Sequence, residues 1–561
     1  MSFSVTCSSP CQYSKSSYTA IIPYTFIALL RTSIQKERTM KIIFSRHLFT
    51  RISLFLLMWG LALIPMSAFA ATPAATSHAN TPDFAAIDAY VLSQMRQLHI
   101  PGVALGIVHG NQVVHLRGFG VVGPDGRSVT PQTTFAISSM TKSFTAVAIM
   151  QLVEQGKVAL DAPVQHYLPW VRVATPGASG RITVRELLNQ TSGISHSAGN
   201  SVLANTGDQT MQQAVQTLST VNLIAPPGTV FQYSNLNYVI LGLIVQVTSG
   251  QSYEMYVQQH LFAPLHMENS FTLTSQDTTL HNGMATGYRW WFGVPMPFNH
   301  RGNPPADLSA GGIISSAEDM SHYLIAQLND GHYGNASVLS PASIAVLHHP
   351  VVLSSTTKDV YAMGWYALPV DGESILWHSG DDPNFHADMA LLPQGQWGVV
   401  VLRNVNSTVS DFTQPALFSI PAGVIDLLLG HQPHPSGLSL NSIFLIVDAM
   451  LFVLSLLALW STFRLIRRWQ RPLKRTPAGL LRGVVLPLLW EVALPIGLFV
   501  ELPKVLGVSW AVALLFWPDF SFWLLGMLAL LLITGMARIM HIVWLVMRSQ
   551  RTNRGTSAVP V

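Results

Sequence analysis

The chain of 561 residues is poor in cysteine and in charge, and each shortage excludes a class of protein. Both cysteines, Cys7 and Cys11, lie at the extreme N-terminus, so a chain processed beyond them has neither a disulfide framework nor thiol chemistry. Charged residues make up 10% and hydrophobic residues 49% of the sequence. That composition is too apolar for an ordinary soluble protein and predicts membrane segments.

Several motifs that define other protein classes are also missing. No Gly-x-Ser-x-Gly elbow occurs, which disfavours an α/β-hydrolase. No His-Glu-x-x-His occurs, which disfavours a zinc peptidase. No repeat of 20–50 residues is visible. The net charge of +4 comes from basic clusters near the two ends, so it indicates membrane topology rather than a nucleic-acid partner.

The N-terminal region has the pattern of a secretory signal. Met40 precedes a basic stretch, Leu54–Met66 form an apolar core, and Ala68-Phe69-Ala70 is a small-x-small cleavage site. We therefore expect a signal peptide over residues 40–70 and a mature chain that begins near Ala71. Residues 1–39 are then a discarded extension. An uncleaved anchor is the alternative.

The C-terminal region predicts three membrane helices, at about residues 442–463, 480–500 and 520–547. Basic clusters follow the first and third, at 464–475 and in the tail 549–561. With an exported N-terminal domain, both clusters lie in the cytoplasm, as the positive-inside rule requires. The apolar stretch Val505–Trp517 is too short to span and is interpreted as interfacial. For Glu491 and Arg482 we favour snorkelling near the helix ends over a buried polar contact.

Between these ends, strand patterns flank a largely helical middle. Helices are predicted over Pro82–His99 and over the closing segment Phe412–Leu429. Strands are predicted over 102–109, 113–120, 374–378, 385–392 and 397–403, with Gly110-Asn111 as a hairpin turn. Residues 200–350 are predicted to be mostly helical. The pattern predicts an α/β (α+β) domain: one antiparallel sheet, flanked by helices, with a helical insertion.

Ser139-Met140-Thr141-Lys142 places a nucleophile and a base where a strand pattern changes to a helical one. Apolar positions from Phe144 onward recur at helical spacing, so Ser139 opens a helix and Lys142 lies one turn on. Serine needs a base at neutral pH, and burial favours an uncharged amine. The same spacing in Ser33–Lys36 and Ser355–Lys358 lacks this context, so the motif alone leaves the assignment open.

Two later motifs supply candidate partners. Tyr233-Ser234-Asn235 precedes a helix, and a lysine nearby favours a phenolate that relays protons from Tyr233; the alternative is a tyrosine that only packs. His378-Ser379-Gly380 closes a predicted strand. Its glycine lets a substrate lie against the strand edge, and the N–H groups of Asp381 and Ser139 can form an oxyanion hole. His332-Tyr333-Gly334 has the same His-x-Gly form.

The order Ser139-x-x-Lys142, Tyr233-x-Asn235 and His378-x-Gly380 resembles the serine β-lactamases and penicillin-binding proteins, in the branch with a Tyr-x-Asn motif. Thr191-Ser192-Gly193, Gly287-Tyr288 and the Ala-Gly-Gly turn at 310–312 are also similar, and the likeness covers about residues 82–415. The resemblance implies a β-lactamase/transpeptidase-like fold and an acyl-enzyme on Ser139. It implies Lys142 and Tyr233 as base and relay, and no metal or other cofactor. The linker at 430–440 includes His431 and His434, which lack carboxylate or cysteine partners for a metal.

A narrower resemblance concerns domain order. A signal peptide, this domain at 80–429 and a three-helix membrane domain at 441–548 resemble the colibactin-maturing prodrug peptidases, which remove an acyl-D-asparagine cap outside the inner membrane. The positions that would align with the D-asparagine contacts are Asn235, Asn303 and Asp382, and they differ, which leaves the side-chain preference open.

Three functions are therefore expected to compete. The first is a membrane-anchored peptidase or amidase for small peptides or acylated amides, with the lipid bilayer as its other partner. The second is a cell-wall carboxypeptidase, β-lactamase or esterase of the same fold. The third is a penicillin sensor without turnover, which the short predicted cytoplasmic segments disfavour.

Overall fold

The computed structural model describes residues 82–203, 209–272, 283–298, 305–353, 359–370, 373–406, 415–433, 440–469 and 476–555. The predicted signal peptide lies outside these ranges. So do Ser33–Lys36, Ser355–Lys358 and Asn303.

One eight-stranded antiparallel sheet dominates the described part of the chain, in the order β10-β11-β12-β13-β14-β15-β1-β2. Three short sheets accompany it, in the orders β16-β5-β6, β3-β7-β4 and β8-β9. The strands are β1 Gly102–His109, β2 Gln112–Gly120, β3 Thr134–Ala136, β4 Phe271–Thr272, β5 Tyr288–Trp291, β6 Val294–Pro297, β7 Ile313–Ser316, β8 His332–Tyr333, β9 Ala336–Ser337, β10 Val352–Leu353, β11 Val360–Ala362, β12 Trp365–Val370, β13 Glu373–Asp382, β14 Phe385–Leu392, β15 Trp397–Arg403 and β16 Val405–Asn406.

The helices lie on both faces of the sheet and in the C-terminal region. They are α1 Phe84–Gln97, α2 Thr141–Glu154, α3 Val164–Tyr167, α4 Val184–Leu188, α5 His196–Asn200, α6 Met211–Gln216, α7 Asn235–Ser249, α8 Tyr253–Val257, α9 Leu308–Gly311, α10 Ala317–Leu328, α11 Pro341–His348, α12 Pro415–Leu428, α13 Leu440–Trp469, α14 Pro477–Leu506, α15 Trp510–Phe516 and α16 Pro518–Gly555.

The central strands are buried on both faces because alternate side chains enter two different cores. In β1, Ala104 and Val108 join the large core that contains α2, α7 and α10. Val103, Leu105 and Ile107 join a second core with α1 and α12. A strand with both faces covered shows a continuous apolar run rather than polar alternation, as β1 does. The sheet thus forms the middle layer of three.

The expected fold class is confirmed, with local differences. The predicted strands 385–392 and 397–403 match β14 and β15. The predicted strand 374–378 continues to Asp382, so the His-x-Gly motif lies inside β13 instead of closing it. Residues 200–350 are less helical than expected, since they contain β4 to β9. These strands have two to four residues, too few to show a clear two-residue period.

Three C-terminal helices are long and apolar enough to cross a membrane: Ser442–Arg464, Pro477–Leu506 and Pro518–Arg548, with mean hydropathies of 2.6, 2.0 and 2.1. Most of their large apolar side chains, such as Leu445, Phe452 and Ile533, are not covered by protein. Such an uncovered apolar surface is compatible with a hydrocarbon environment. The stretch expected to be interfacial contains the last two residues of α14, Val505 and Leu506, and the seven-residue α15.

The prediction that Glu491 snorkels from a helix end is wrong. Glu491 is fully buried and accepts two hydrogen bonds from Arg538, at 2.6 Å from Nε and 2.9 Å from Nη2. A carboxylate and a guanidinium in an apolar bundle are each costly alone, so they pair. Arg482, by contrast, is exposed.

Candidate active site

Ser139 lies in a tight turn between strand β3 and helix α2. Residues Ser138–Met140 form a 3-10 turn, and the α-helix itself begins at Thr141, two residues later than predicted. Ser138 adopts a left-handed φ of +46°, a conformation that non-glycine residues adopt at a cost. From Thr133 to Leu152 every residue is buried except Ser139, which remains partly exposed. The turn therefore presents one hydroxyl from an otherwise closed segment.

Lys142 is fully buried beneath that hydroxyl. Its Nζ lies 3.0 Å from Ser139 Oγ and donates a hydrogen bond of 2.8 Å to the carbonyl of Ala310. Burial lowers the pKa of the Lys142 amine to about 7, although the carboxyl of Asp307 opposes this shift. A large fraction of the amine is then uncharged near neutral pH and able to accept a proton.

Tyr233, from the loop before α7, is the third member of the group around Ser139 Oγ. Its hydroxyl donates to Ser139 Oγ at 2.9 Å, and Lys142 Nζ lies 4.9 Å from the centre of its ring. The loop that carries Tyr233 is fixed by Gln190. The side-chain oxygen of Gln190 accepts a hydrogen bond from the Ser234 N–H at 2.9 Å and one from Asn237 Nδ2 at 2.6 Å. Gln190 belongs to the segment that ends in the Thr-Ser-Gly motif.

The expectation of a phenolate is wrong for this arrangement. Burial raises the pKa of Tyr233 well above its usual value, and the neighbouring Tyr361 and Tyr366 add to the effect. Desolvation outweighs the attraction of the lysine because the lysine is itself desolvated and only partly charged. Tyr233 is therefore a hydrogen-bond donor in the free protein, and Lys142 is the better base.

The His-x-Gly motif lies on a strand edge beside Ser139. Strand β12 pairs with β13 only over 373–377, whereas β14 pairs with β13 through Asp382. No other described strand covers the edge 378–382. A Cβ on Gly380 would lie 2.0 Å from the carbonyl oxygen of Ile137. Only glycine permits this approach, which brings strand β13 at Gly380 beside the turn of Ser139.

His378 is neutral in this setting. Burial, reinforced by the charge of Lys142, lowers the pKa of its imidazole to about 3. Its Nδ1–H donates to the carbonyl of Ser379 at 2.6 Å, which leaves Nε2 as the acceptor. Nε2 is buried and has no hydrogen-bond partner among the described residues. The Ser379 side chain, on the opposite face of the strand, is partly exposed.

The two acids after the motif, Asp381 and Asp382, differ in their ionisation. Asp381 accepts at 2.6 Å from Nδ1 of His386. Burial opposes its ionisation, but His386 and Arg403 outweigh that and hold the pKa of Asp381 below its usual value. Burial, with Asp307 and Asp381 nearby, raises the pKa of Asp382 to about 7. One acid is therefore balanced by a cation, and the other is only partly ionised at neutral pH.

Sequence reasoning missed Asp307 and the carbonyl of Ala310, which surround Lys142 from the 3-10 turn Pro305–Asp307 and from α9. Burial raises the pKa of Asp307 to about 7. The Ala-Gly-Gly turn at 310–312 thus contributes a carbonyl group to the site. Asn235 is the first residue of α7 and is buried; its Oδ1 has no hydrogen-bond partner among the described residues. His332-Tyr333-Gly334 lies apart from this group, in the β8–β9 hairpin.

Comparisons with known proteins agree with this geometry. The family model described as Beta-lactamase matches residues 87–418, more than half of the chain. The chain therefore belongs to the beta-lactamase family, whose penicillin-binding-protein-like members are generally hydrolytic serine enzymes. The match contains all of the candidate site residues named above.

Individual relatives are more distant. Protein flp of Staphylococcus aureus (strain N315) is 29% identical over 327 residues, which are 57% of this chain and 63% of that protein. Penicillin-binding protein 4 of Amycolatopsis lactamdurans is 30% identical over 323 residues, covering 56% of this chain and 84% of that protein. The chain thus spans less than two thirds of the flp sequence.

Two solved structures share the fold. The octameric penicillin-binding protein homologue from Pyrococcus abyssi has a TM-score of 0.53 and 26% identity, over 63% of this chain and 79% of that one. EstCE1, a hydrolase with promiscuous acyltransferase activity, has a TM-score of 0.53 and 20% identity, over 61% of this chain and 97% of that one. The second likeness concerns the fold alone.

Proposed function

We propose that this protein is a membrane-anchored serine hydrolase that cleaves amide or peptide bonds through an acyl-enzyme on Ser139. The observation that carries the proposal is the convergence of Lys142 Nζ and the Tyr233 hydroxyl on Ser139 Oγ, at 3.0 and 2.9 Å. A nucleophile with a base and a donor at hydrogen-bond distance is the arrangement that acyl transfer requires.

The reaction follows from the protonation states. Neutral Lys142 takes the proton of Ser139 as Oγ attacks the substrate carbonyl, and the N–H groups of Ser139 and Asp381 stabilise the oxyanion. The C–N bond then breaks, and Tyr233 donates its proton to the leaving amine. Lys142 returns a proton to the Tyr233 oxygen. Water gives a proton to the same pair and attacks the acyl carbonyl of the ester. The bond from that carbon to Ser139 Oγ then breaks, the pair returns the proton to Oγ, and the acid leaves.

The finer proposal is a prodrug-type peptidase for acylated, D-residue-containing substrates outside the cytoplasmic membrane. Two features support a substrate without a free terminal carboxylate. His378 is neutral where penicillin-type enzymes commonly have a lysine, and Asp382, four residues further along the same strand, is an acid. The loss of one charge-assisted hydrogen bond weakens carboxylate binding by about 1–3 kcal/mol.

The test of the nucleophile is covalent labelling of the full-length protein with a fluorescent fluorophosphonate or penicillin. Ser139→Ala should abolish labelling and turnover without loss of expression. Ser138→Ala is the matched control, since Ser138 is buried and precedes Ser139 directly; it should still label. Labelling of the Ser139→Ala variant would disprove the assignment.

The second function, a carboxypeptidase or β-lactamase, is tested with one pair of acyl-D-residue peptides, amidated or with a free carboxylate. We expect the amidated peptide to have the higher kcat/KM, and penicillin to be hydrolysed slowly or not at all. Faster cleavage of the free acid favours the carboxypeptidase. A stable penicillin adduct without turnover of either peptide favours the sensor.

A further inference from the structure

A two-stranded hairpin joins the hydrolase domain to the first and third apolar helices. Strands β5 and β6 pair from Tyr288 with Pro297 to Trp291 with Val294, and the turn is Phe292-Gly293. Trp290, on the buried side, stacks on Phe444 of α13 with ring centres 5.3 Å apart. Phe444 is itself 3% exposed and belongs to the second core of the hydrolase domain. The start of α13 is therefore packed into that domain.

The turn of the same hairpin contacts the start of α16. The N–H of Phe292 donates to Asp519 Oδ2 at 3.2 Å, and Trp291 lies 5.8 Å from Phe522, ring centre to ring centre. Phe444 and Asp519 are the third and second residues of the candidate spans Ser442–Arg464 and Pro518–Arg548. The hairpin is thus level with the ends of two spans that both run away from the hydrolase domain.

The other side of this hairpin carries uncovered apolar side chains beside the half-buried Arg289, which pairs with Met296 across the strands and stacks on Phe298. Phe292 is 39%, Val294 55% and Met296 49% exposed. Aromatic side chains such as Trp291 and Phe292 are typical of the boundary between lipid and water. An apolar surface at this height, continuous with helices whose own apolar side chains are uncovered, meets lipid rather than bulk water.

We propose that Phe292, Val294 and Met296 form a bilayer contact, occupied by the headgroup and upper acyl-chain region of the leaflet in which α13 and α16 begin. The proposal rests on the membrane anchoring proposed above and adds a second attachment, made by the hydrolase domain itself. Its occupant is lipid, and a second copy of the chain is the competing outcome.

The hairpin that makes the proposed bilayer contact is also hydrogen-bonded to the end of β13, the strand whose edge lies beside Ser139. The N–H of Tyr288 donates to the carbonyl of Asn384 at 3.2 Å, and Asn384 Nδ2 donates to the carbonyl of Phe298 at 2.9 Å. Asn384 lies in the turn that follows β13. Asn406, in the strand paired with β5, donates to the carbonyl of Asp382 at 2.8 Å. The hairpin therefore holds the end of the edge strand, so the bilayer contact orients this edge relative to the membrane.

The experiment uses single cysteines in the full-length chain with Cys7 and Cys11 replaced by serine. Val294→Cys and Met296→Cys are labelled with an environment-sensitive fluorophore and reconstituted into phosphatidylcholine–phosphatidylglycerol vesicles. Val247→Cys and Met255→Cys are the matched controls, because these residues are 59% and 50% exposed and lie on α7 and α8. The quenchers are headgroup-spin-labelled lipid and aqueous iodide.

We expect lipid quenching of the labels at 294 and 296, and only iodide quenching of those at 247 and 255. Equal iodide quenching at 296 and 255 would overturn the proposal. A label at 296 shielded from both quenchers would also overturn it, since protein then covers the surface.

A fifth label, at Leu457, which is 52% exposed within α13, distinguishes the bilayer contact of the hairpin from the membrane anchoring by the helix. Chain-labelled lipid should quench it if the helix spans. Quenching at 457 without quenching at 296 disproves the hairpin contact alone. No quenching at either position disproves both the contact and the membrane anchoring, while labelling of Ser139 by fluorophosphonate reports independently on the hydrolase.

Discussion

At the scale of single residues, the chemistry depends on two opposing influences on the pKa of Lys142, which are burial and a neighbouring negative charge. Burial favours the neutral amine, and Asp307 favours the ammonium. The resulting pKa of about 7 is close to that of an efficient general base at neutral pH. A lysine with an ordinary pKa near 10.4 would be charged and ineffective.

This balance predicts the pH dependence of kcat/KM. The rate should rise with pH through about 7, because the active form has a deprotonated Lys142. Asp307→Asn removes the charge that raises the pKa of Lys142, so the acid limb should move to lower pH. The pH–rate profiles of the two proteins check this, and a shift to higher pH would contradict it.

Lys142 and Tyr233 are predicted to act as one proton-transfer unit, because both contact the same Oγ atom. Lys142→Ala and Tyr233→Phe should each lose most of kcat, and the double variant should lose little more. Single-turnover rates of the three variants make the comparison. Strictly additive losses in activation free energy would show that the two groups act on separate steps.

At the scale of elements, the site depends on strand β13 lying flat against the turn of Ser139. Gly380→Ala would place a methyl group 2.0 Å from the carbonyl oxygen of Ile137 and push the edge away. A displacement of about 1 Å costs about a hundredfold in rate, so kcat/KM should fall by about that factor. Gly283→Ala, which faces open space, is the control and should keep its activity. A fully active Gly380→Ala would mean that this edge does not bind substrate.

The buried ion pair predicts how the apolar helices hold together. Glu491→Leu leaves Arg538 buried without its carboxylate, which costs about 3–5 kcal/mol, so the Tm in detergent should fall clearly. Glu491→Leu with Arg538→Leu should regain most of the loss. The control is Glu501→Gln, whose pair with Lys504 is exposed and contributes at most about 1 kcal/mol. A double variant as unstable as the single one would contradict this account.

At the scale of the whole molecule, three apolar helices and one hairpin together favour a single topology. The hairpin contacts the starts of α13 and α16. Helix α14 lies between these two helices in sequence. We propose that the hydrolase domain and the starts of the first and third helices lie on one side of a membrane. The positive-inside rule would then place the basic segments after these helices on the other side.

A reporter fused after Val561 should therefore read cytoplasmic, and one inserted after Pro433 should read extracytoplasmic. Paired alkaline phosphatase and fluorescent-protein fusions make the measurement. An extracytoplasmic reading after Val561 would disprove the three-span arrangement.

The sequence by itself determined the features that depend on local order along the chain. Apolar alternation predicted β14 and β15, and runs of hydrophobic residues predicted three long helices. These signals are local because side-chain direction repeats every two residues in a strand and every 3.6 in a helix. The grouping of Ser139, Lys142, Tyr233 and His378 is not a local signal, since it rested on the resemblance of their motif order to the β-lactamases.

Only the tertiary structure decided what depends on neighbours distant in sequence. Asp307 and Ala310 surround Lys142 from more than 160 positions away, and Arg538 pairs with Glu491 across 47 positions. The structure also corrected the predicted protonation state of Tyr233. A sequence shows that a lysine can lie nearby, but it does not show that both groups are desolvated. Burial is a property of the packed chain, and it sets which polar groups are charged.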